Sequence, residues 1–378
     1  MKILITYASA GSGHRRAAEA LNEACAELGC AGDVMLIDVL DYTNRFYRWV
    51  YPTAYLFMVR HLSLLWAFFF YALENKAIFR IANKVRRVIN QHYSKRLRHL
   101  FTSLNPEYIV STHFFPTEVA THLVKEGLLQ SKLMTVITDF GAHNIWLSDK
   151  THTYLVASEL TKEELIRKGV VPEKVRVTGI PIRPLFGKEG DRGQIASSLG
   201  IAPDRMTVLV GGGGFGVGPI AQVVETVLTD FPHVQVLVVC GHDARLREKL
   251  LPLSGRHADR LRLFGFVDNM HELMTASDVI VTKAGGLTTS EALIKHLPMI
   301  LLKPIPGQEA NNARILTRRG AAVTCHTLKK VREALKKILG DEAVFYAMRE
   351  SAGQLACRRA ARTIIEYVLR GGNHEEGA

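Results

Sequence analysis

Residues 1–28 read MKILITYASAGSGHRRAAEALNEACAEL. Lys2–Tyr7 is a short β-rich run, the residues up to Gly13 form a glycine turn, and Gly13–Leu28 carries a helical pattern. Strand, glycine turn and helix, in that order, open a doubly wound α/β domain, in which ligands bind beyond the carboxyl ends of the parallel strands. The same signals return at 206–228, MTVLVGGGGFGVGPIAQVVETVL. Two such openings in a chain of 378 residues predict two domains of ordinary size.

The rest of the chain fits that reading. After Asp33–Asp38, strands are expected at Tyr108–Thr112, Leu133–Thr138, Tyr154–Ala157 and Val175–Thr178. Helices such as Pro116–Lys125 and Thr161–Lys168 fall between them. The second series has strands at Met206–Val210, Gln235–Cys240, Leu261–Phe264, Asp278–Thr282, Met299–Leu302 and Ala321–Thr324, and ends with a helix at Leu328–Ile338. Pro181–Gly200, rich in proline, glycine and charge, reads as a linker. The expected division is a domain over 1–186 and a second over 187–344, with a C-terminal helix at about 345–370 packing back on the first. Two doubly wound parallel-sheet domains facing a cleft make the GT-B architecture.

Apolar residues are 47% and charged residues 22%, which excludes a disordered or fibrous chain. The cysteines (25, 30, 240, 325 and 357) are odd in number and form no CxxC pair, so a reducing compartment is expected and a structural zinc site is not. The opening lacks the long apolar core of a signal peptide, which points to cytoplasm. The net charge is +12 and is unevenly spread. Between Tyr42 and Pro106 eleven bases face one acid, Glu74, and this concentration predicts an anionic surface as partner.

Four motifs carry the chemistry. In Ala8–Arg15, ASAGSGHR, glycines leave N–H groups exposed at a helix start, and His14 sits in the first turn. A helix N-terminus lowers an imidazole's pKa and keeps it neutral, so His14 is a candidate general base; the alternatives are a dinucleotide fingerprint or a tight turn. In Gly211–Pro219, GGGGFGVGP, amides around Gly213, Gly214, Phe215 and Gly216 suit a diphosphate; the alternative is a flexible turn. No Gly-Lys-Ser/Thr follows, which excludes a P-loop. In Thr282–Ala292, TKAGGLTTSEA, a strand runs through Gly285 and Gly286 into a helix bearing Leu287, Thr288 and Glu291. Glu291 can accept bonds from two vicinal ribose hydroxyls or simply stabilise the helix dipole. In Pro304–Asn312, PIPGQEANN, the amide and carboxyl groups of Gln308, Glu309 and Asn312 suit hexose hydroxyls or helix capping.

These motifs, in this order, resemble the family 28 glycosyltransferases over nearly the whole chain. The GSGHR opening, Ser111–Thr117 (STHFFPT), Val136–Phe140 (VITDF) with His143 and Trp146 following, and Gly265–Met270 (GFVDNM) are most similar to the lipid-glycosylating branch, the monogalactosyldiacylglycerol synthases and diacylglycerol glucosyltransferases. The resemblance implies inverting, metal-independent transfer from a UDP-sugar. It makes His14 the base, sets Phe266 and Val267 at the uracil, Glu291 at the ribose and Gln308 and Glu309 at the hexose, and puts Gly13, His113, Asp139 and His143 on the acceptor side. The glycine loop is longer than the serine-containing loop of the peptidoglycan branch. No cofactor or metal is implied, and no Asp-x-Asp pair is present.

Phe46–Leu73, FYRWVYPTAYLFMVRHLSLLWAFFFYAL, has uncharged runs of eleven and twelve residues, short of the roughly 20 a spanning helix needs. Aromatics such as Trp49, Trp66, Phe68, Phe69 and Phe70 beside a basic run suit an interfacial anchor; the alternative is a buried helix pair with a solvated basic face. The leading expectation is therefore a UDP-hexose:diacylglycerol glycosyltransferase, peripheral at the cytoplasmic face of an anionic phospholipid membrane. Glucose and galactose both fit as the hexose. A polyprenyl or other lipid acceptor, UDP-sugar 2-epimerisation and a non-catalytic membrane-bound nucleotide-sugar sensor are the alternatives. Nucleic acid is not expected as a partner, because the basic segment is too rich in Phe, Leu and Trp.

Overall fold

The computed structural model of the chain describes residues 2–9, 11–213 and 218–372. It divides into two compact units, Met1–Pro184 with Ile305–Gln308 and Arg359–Ala378, and Leu185–Pro304 with Glu309–Arg358.

The first unit runs β1 (Ile3–Tyr7), α1 (Ser12–Glu27), β2 (Val34–Asp38), α2 (Arg45–His61), α3 (Ser63–Ala72), α4 (Lys76–Tyr93), α5 (Lys95–Leu104), β3 (Tyr108–Ser111), α6 (Phe114–Lys125), β4 (Lys132–Val136), β5 (Thr151–Val156), α7 (Glu159–Arg167) and β6 (Val175–Val177). Its six strands are parallel in the order β2-β1-β3-β4-β5-β6. The order reverses between β1 and β3, the switch point at which such sheets bind ligands. Ile3, Ile5, Val110, Met134, Val136 and Leu155 bury one face of the sheet under α1. Ile109, Leu133 and Leu4 bury the other face against Phe101, Phe115 and Leu123 of α5 and α6.

The second unit runs α8 (Arg192–Ser198), β7 (Thr207–Gly211), α9 (Ile220–Asp230), β8 (Gln235–Val239), α10 (Ala244–Arg256), β9 (Leu261–Phe264), α11 (Met270–Thr275), β10 (Val279–Thr282), α12 (Gly286–Ile294), β11 (Met299–Leu302), α13 (Gln308–Arg318), β12 (Ala322–Cys325), α14 (Leu328–Gly340) and α15 (Glu342–Leu355). Its parallel sheet has the order β12-β11-β10-β7-β8-β9, with the reversal between β7 and β10. Apolar strands such as β8 are buried along their whole length, as helices on both faces require.

Two stretches differ from expectation. Only part of Pro181–Gly200 connects the units. Asp191 caps α8 by accepting from the N–H groups of Gly193 and Gln194, and Arg192 makes a bidentate pair with Asp278 at 2.6 and 2.7 Å, so this half belongs to the second fold. The expected helix at about 345–370 is two helices, because Ala356 turns extended and ends α15. α15 packs on α12 and α14, whereas α16 (Ala360–Leu369) packs on α1 through Ala361, Ile364, Ile365 and Val368. Among the described residues no helix is long and apolar enough to cross a membrane.

Candidate active site

β1 delivers the chain into the glycine turn, and α1 starts at Ser12, which sets His14 in its first turn beside Gly13. β3, hydrogen-bonded alongside β1, ends at Ser111, and the following Thr112 donates its N–H to the Thr6 carbonyl. His14 lies against it, with Nδ1 2.7 Å from the Thr112 carbonyl oxygen and 3.1 Å from Thr138 Oγ1. A carbonyl only accepts, so Nδ1 carries the proton and Nε2 the lone pair. The Thr112 hydroxyl donates to the His14 carbonyl at 2.9 Å. The His113 ring meets His14 edge-on at 4.6 Å, and the Trp146 ring lies 6.1 Å away.

Burial pushes the His14 imidazole down from 6.5 to about 4, against the opposing hydrogen bond to Thr112. Desolvation is the cause that lowers it, where the sequence alone suggests the helix N-terminus. Burial also holds His113 well below its ordinary range, followed by the charges of His14 and Arg86. His113 accepts from the Phe115 N–H at 3.1 Å and so caps α6.

The acceptor-side residues fall into separate groups. Asp139 follows Thr138 and is half-buried. His143 is turned away to a structural knot. Its Nε2 donates to the Phe70 carbonyl at 2.9 Å, lies 3.3 Å from Glu74 and sits under the Phe70 ring. Glu74 also pairs with Lys168 and accepts from the Asn144 N–H. The one acid of the basic segment is therefore an anchor. Of the aromatics, Trp49 is 66% exposed and Phe68 67%, with Phe69 also exposed, but Phe70 is 5% exposed. Phe70 packs inward because the loop holding His143 takes its ring and carbonyl together. Trp66 is half-buried.

In the second unit Gly213, two residues past the end of β7, adopts a left-handed φ of 71°, a conformation that glycine tolerates without strain. Gly214, Phe215 and Gly216 lie outside the described residues. Gly285 caps α12, and Gly286, Leu287 and Thr288 form its first turn. Glu291 lies further in than a first-turn position and is 4% exposed. Asn312 on α13 donates from Nδ2 to the Ala284 carbonyl at 3.0 Å, and Glu309 pairs with Lys283 at 2.7 Å. These bonds bring the third and fourth motifs together at the ends of β10 and β11; Gln308 opens α13. Phe266, beyond β9, stacks at 4.5 Å on His242, beyond β8, and Val267 follows it half-buried.

Sequence reasoning missed Thr138, Trp146, Lys283 and His242 as parts of these clusters. Lys283 and His242 meet their partners across adjacent strand ends, and Thr138 and Trp146 reach His14 from beyond β4, so none is near its partner in sequence.

Residues 14–182 match the family of monogalactosyldiacylglycerol (MGDG) synthases, and residues 207–364 match the glycosyltransferase family 28 C-terminal domain. The chain is 31% identical to the processive diacylglycerol beta-glucosyltransferase of Bacillus subtilis (strain 168), covering 98% of this chain and 95% of that protein. It belongs to glycosyltransferase family 28, on the MGDG-synthase and diacylglycerol-glucosyltransferase branch. The counterpart from Bacillus pumilus is also 31% identical, over 97% of this chain and 94% of its own. As a family 28 glycosyltransferase the chain also has the expected GT-B neighbours among solved structures. S. aureus MnaA with UDP superposes with a TM-score of 0.65 at 14% identity, covering 100% and 99% of the two chains. Acinetobacter baumannii MurG gives 0.59 at 15%, covering 98% and 100%. At those identities the likeness concerns the fold alone.

Proposed function

We propose that this family 28 enzyme transfers a hexose from a UDP-sugar to 1,2-diacylglycerol, giving a β-glycosyl diacylglycerol with inversion. The observation that carries the reading is His14, a neutral imidazole held at the switch point of the first sheet with Nδ1 protonated and Nε2 available. Nε2 takes the proton of the glycerol hydroxyl as its oxygen attacks the anomeric carbon. The bond from that carbon to the diphosphate breaks, and UDP leaves.

The first unit is the acceptor side, with Gly13, His113 and Asp139 near the base, and the second unit is the donor side. Amides at Gly213 and at the start of α12, together with those of Gly214, Phe215 and Gly216 in the same glycine motif, take the diphosphate charge, so no divalent ion is needed. Phe266 and Val267 hold the uracil and Glu291 the ribose. Gln308, Glu309 and Asn312 hold the hexose, with Glu309 oriented by Lys283. We take the hexose to be glucose, because the bacterial relatives that cover this chain end to end are named beta-glucosyltransferases.

The acceptor is drawn from the cytoplasmic face of an anionic phospholipid membrane, to which the protein binds peripherally. The exposed Trp49, Phe68 and Phe69 support this, and so does α4. Its exposed side carries Ile78, Ile81, Val85 and Val88 at three- and four-residue spacing, among Arg80 and Lys84. An apolar stripe of that kind suits a lipid interface and not a phosphate backbone.

The stereochemical claim is checked by the anomeric proton coupling in the NMR spectrum of the purified glycolipid. The large coupling of a β-glucoside is expected; a small coupling, marking an α-linkage, would exclude single displacement by a His14-activated hydroxyl.

A further inference from the structure

We infer that Thr112 and Thr138 are positioning residues that fix His14 in the tautomer whose Nε2 is the base. The inference rests on the proposed role of His14.

Thr112 grips His14 at two points. Its main-chain carbonyl accepts from the ring Nδ1 at 2.7 Å, and its hydroxyl donates to the His14 carbonyl at 2.9 Å. Ring and backbone of the base are thereby tied to one residue at the end of β3. Thr112 cannot drift, because it is 0% exposed and its own N–H donates to Thr6 on β1. Thr138, buried just past β4, brings Oγ1 within 3.1 Å of the same Nδ1 and takes the second branch of that N–H. The segments that follow three neighbouring strands, β1, β3 and β4, thus supply the base, its clamp and its second acceptor. His113 does not compete for that proton, since its Nδ1 already accepts from Phe115. A neutral carbonyl and a hydroxyl do here what a carboxylate does behind the histidine of a hydrolase triad: they select the tautomer and hold the ring as it becomes imidazolium.

The test compares the full-length protein with Thr138→Val, Thr112→Val, the double variant, Thr138→Ser and His14→Ala. Imidazole ¹⁵N spectra are read on histidine-labelled samples, with the His14 signal assigned by its loss in His14→Ala. In the wild type a single Nδ1-protonated tautomer is expected. In Thr138→Val and the double variant the His14 signals should move toward a tautomer mixture, kcat should fall by roughly 10–100-fold, and KM for the UDP-sugar should hold. Thr112→Val alone keeps the carbonyl on Nδ1 and loses only the bond to the His14 carbonyl, so it should lower kcat with the tautomer retained. Serine at 138 should restore both the spectrum and turnover. A folded Thr138→Val or double variant that keeps the wild-type spectrum overturns the inference, whatever its turnover. If the double variant does not fold, the isosteric Thr138→Val and its serine control decide the matter. Near-normal turnover by His14→Ala would remove the base role itself, while the spectra still report whether the clamp sets the tautomer.

Discussion

Burial leaves His14 neutral, and the neutral form is the one that can accept a proton. With its pKa pushed down to about 4, kcat/KM should stay flat as pH falls through 6.5 and decline only near 4, provided the fold survives. A half-point near 6.5 would mean a solvated base. The same displacement bears on stability. A histidine whose folded pKa lies below its unfolded value stabilises the fold fully above 6.5, and that contribution is lost as pH falls toward 4. His113 acts in the same direction, so thermal melts should weaken progressively over that interval. His14→Ala should leave UDP binding intact and lower kcat by roughly 10²–10⁴-fold; turnover close to wild type would remove the assignment. Glu291→Ala, with a thermal melt to show that the variant folds, should weaken UDP binding by about 1.5–3 kcal/mol, as loss of two hydroxyl contacts to a charged group implies. Calorimetry with UDP and 2′,3′-dideoxy-UDP checks this: the wild type should discriminate between them and the variant should not. His14 was legible in the sequence as a candidate base because a histidine directly after a strand–glycine turn has few other uses. Its clamp was not, because Thr112 and Thr138 lie 98 and 124 residues away and become neighbours only through strand order.

At the scale of elements, α2, α3 and α4 are fastened at two polar points and expose what lies between. Tyr47 on α2 donates its hydroxyl to Asn90 on α4 at 2.9 Å, Asn90 donates to Glu118 on α6 at 3.0 Å, and Arg86 pairs with Glu118. The second point is Glu74 with His143, Asn144 and Lys168. Between them Leu64 is 83% exposed, alongside Phe57, Phe68 and Phe69. Composition announced the segment, but it could not say which rings face out. FFF at 68–70 is uniform in sequence, and only the pull of His143 on Phe70 separates its third ring from the others. Nor was the exposed stripe of α4 foreseen, because apolar residues at helical spacing normally mark the buried face. A Phe68→Ser/Phe69→Ser variant should melt like the wild type, since exposed positions change stability by about 0.5 kcal/mol or less, yet sediment less with phosphatidylglycerol vesicles and glycosylate vesicular diacylglycerol more slowly. Phe70→Ser should lose stability, by about 3–5 kcal/mol if it behaves as a buried Phe truncation. Salt should weaken vesicle binding without abolishing it, because each base near the surface adds about 1 kcal/mol that ions screen. Normal vesicle turnover by the folded double serine variant would mean that another surface meets the membrane.

For the whole molecule, two parallel sheets of six strands follow from two strand–glycine–helix openings and the alternation after each. The strands were readable because parallel strands buried on both faces are short, apolar and β-branched. The ends of the domains were less so. A helical pattern does not reveal that Ala356 breaks it, or that α15 stays with one sheet while α16 joins the other. The central claim is that such a molecule moves glucose from UDP to diacylglycerol with protein groups alone. Its most direct test supplies radiolabelled UDP-glucose and, separately, UDP-galactose to the full-length protein with diacylglycerol–phosphatidylglycerol vesicles in EDTA, and follows label into the organic phase. Label from UDP-glucose should appear in a glycosyl diacylglycerol in the presence of the chelator, and disappear with His14→Ala. Label that stays in the aqueous phase, or that enters lipid only after magnesium or manganese is restored, would contradict the account.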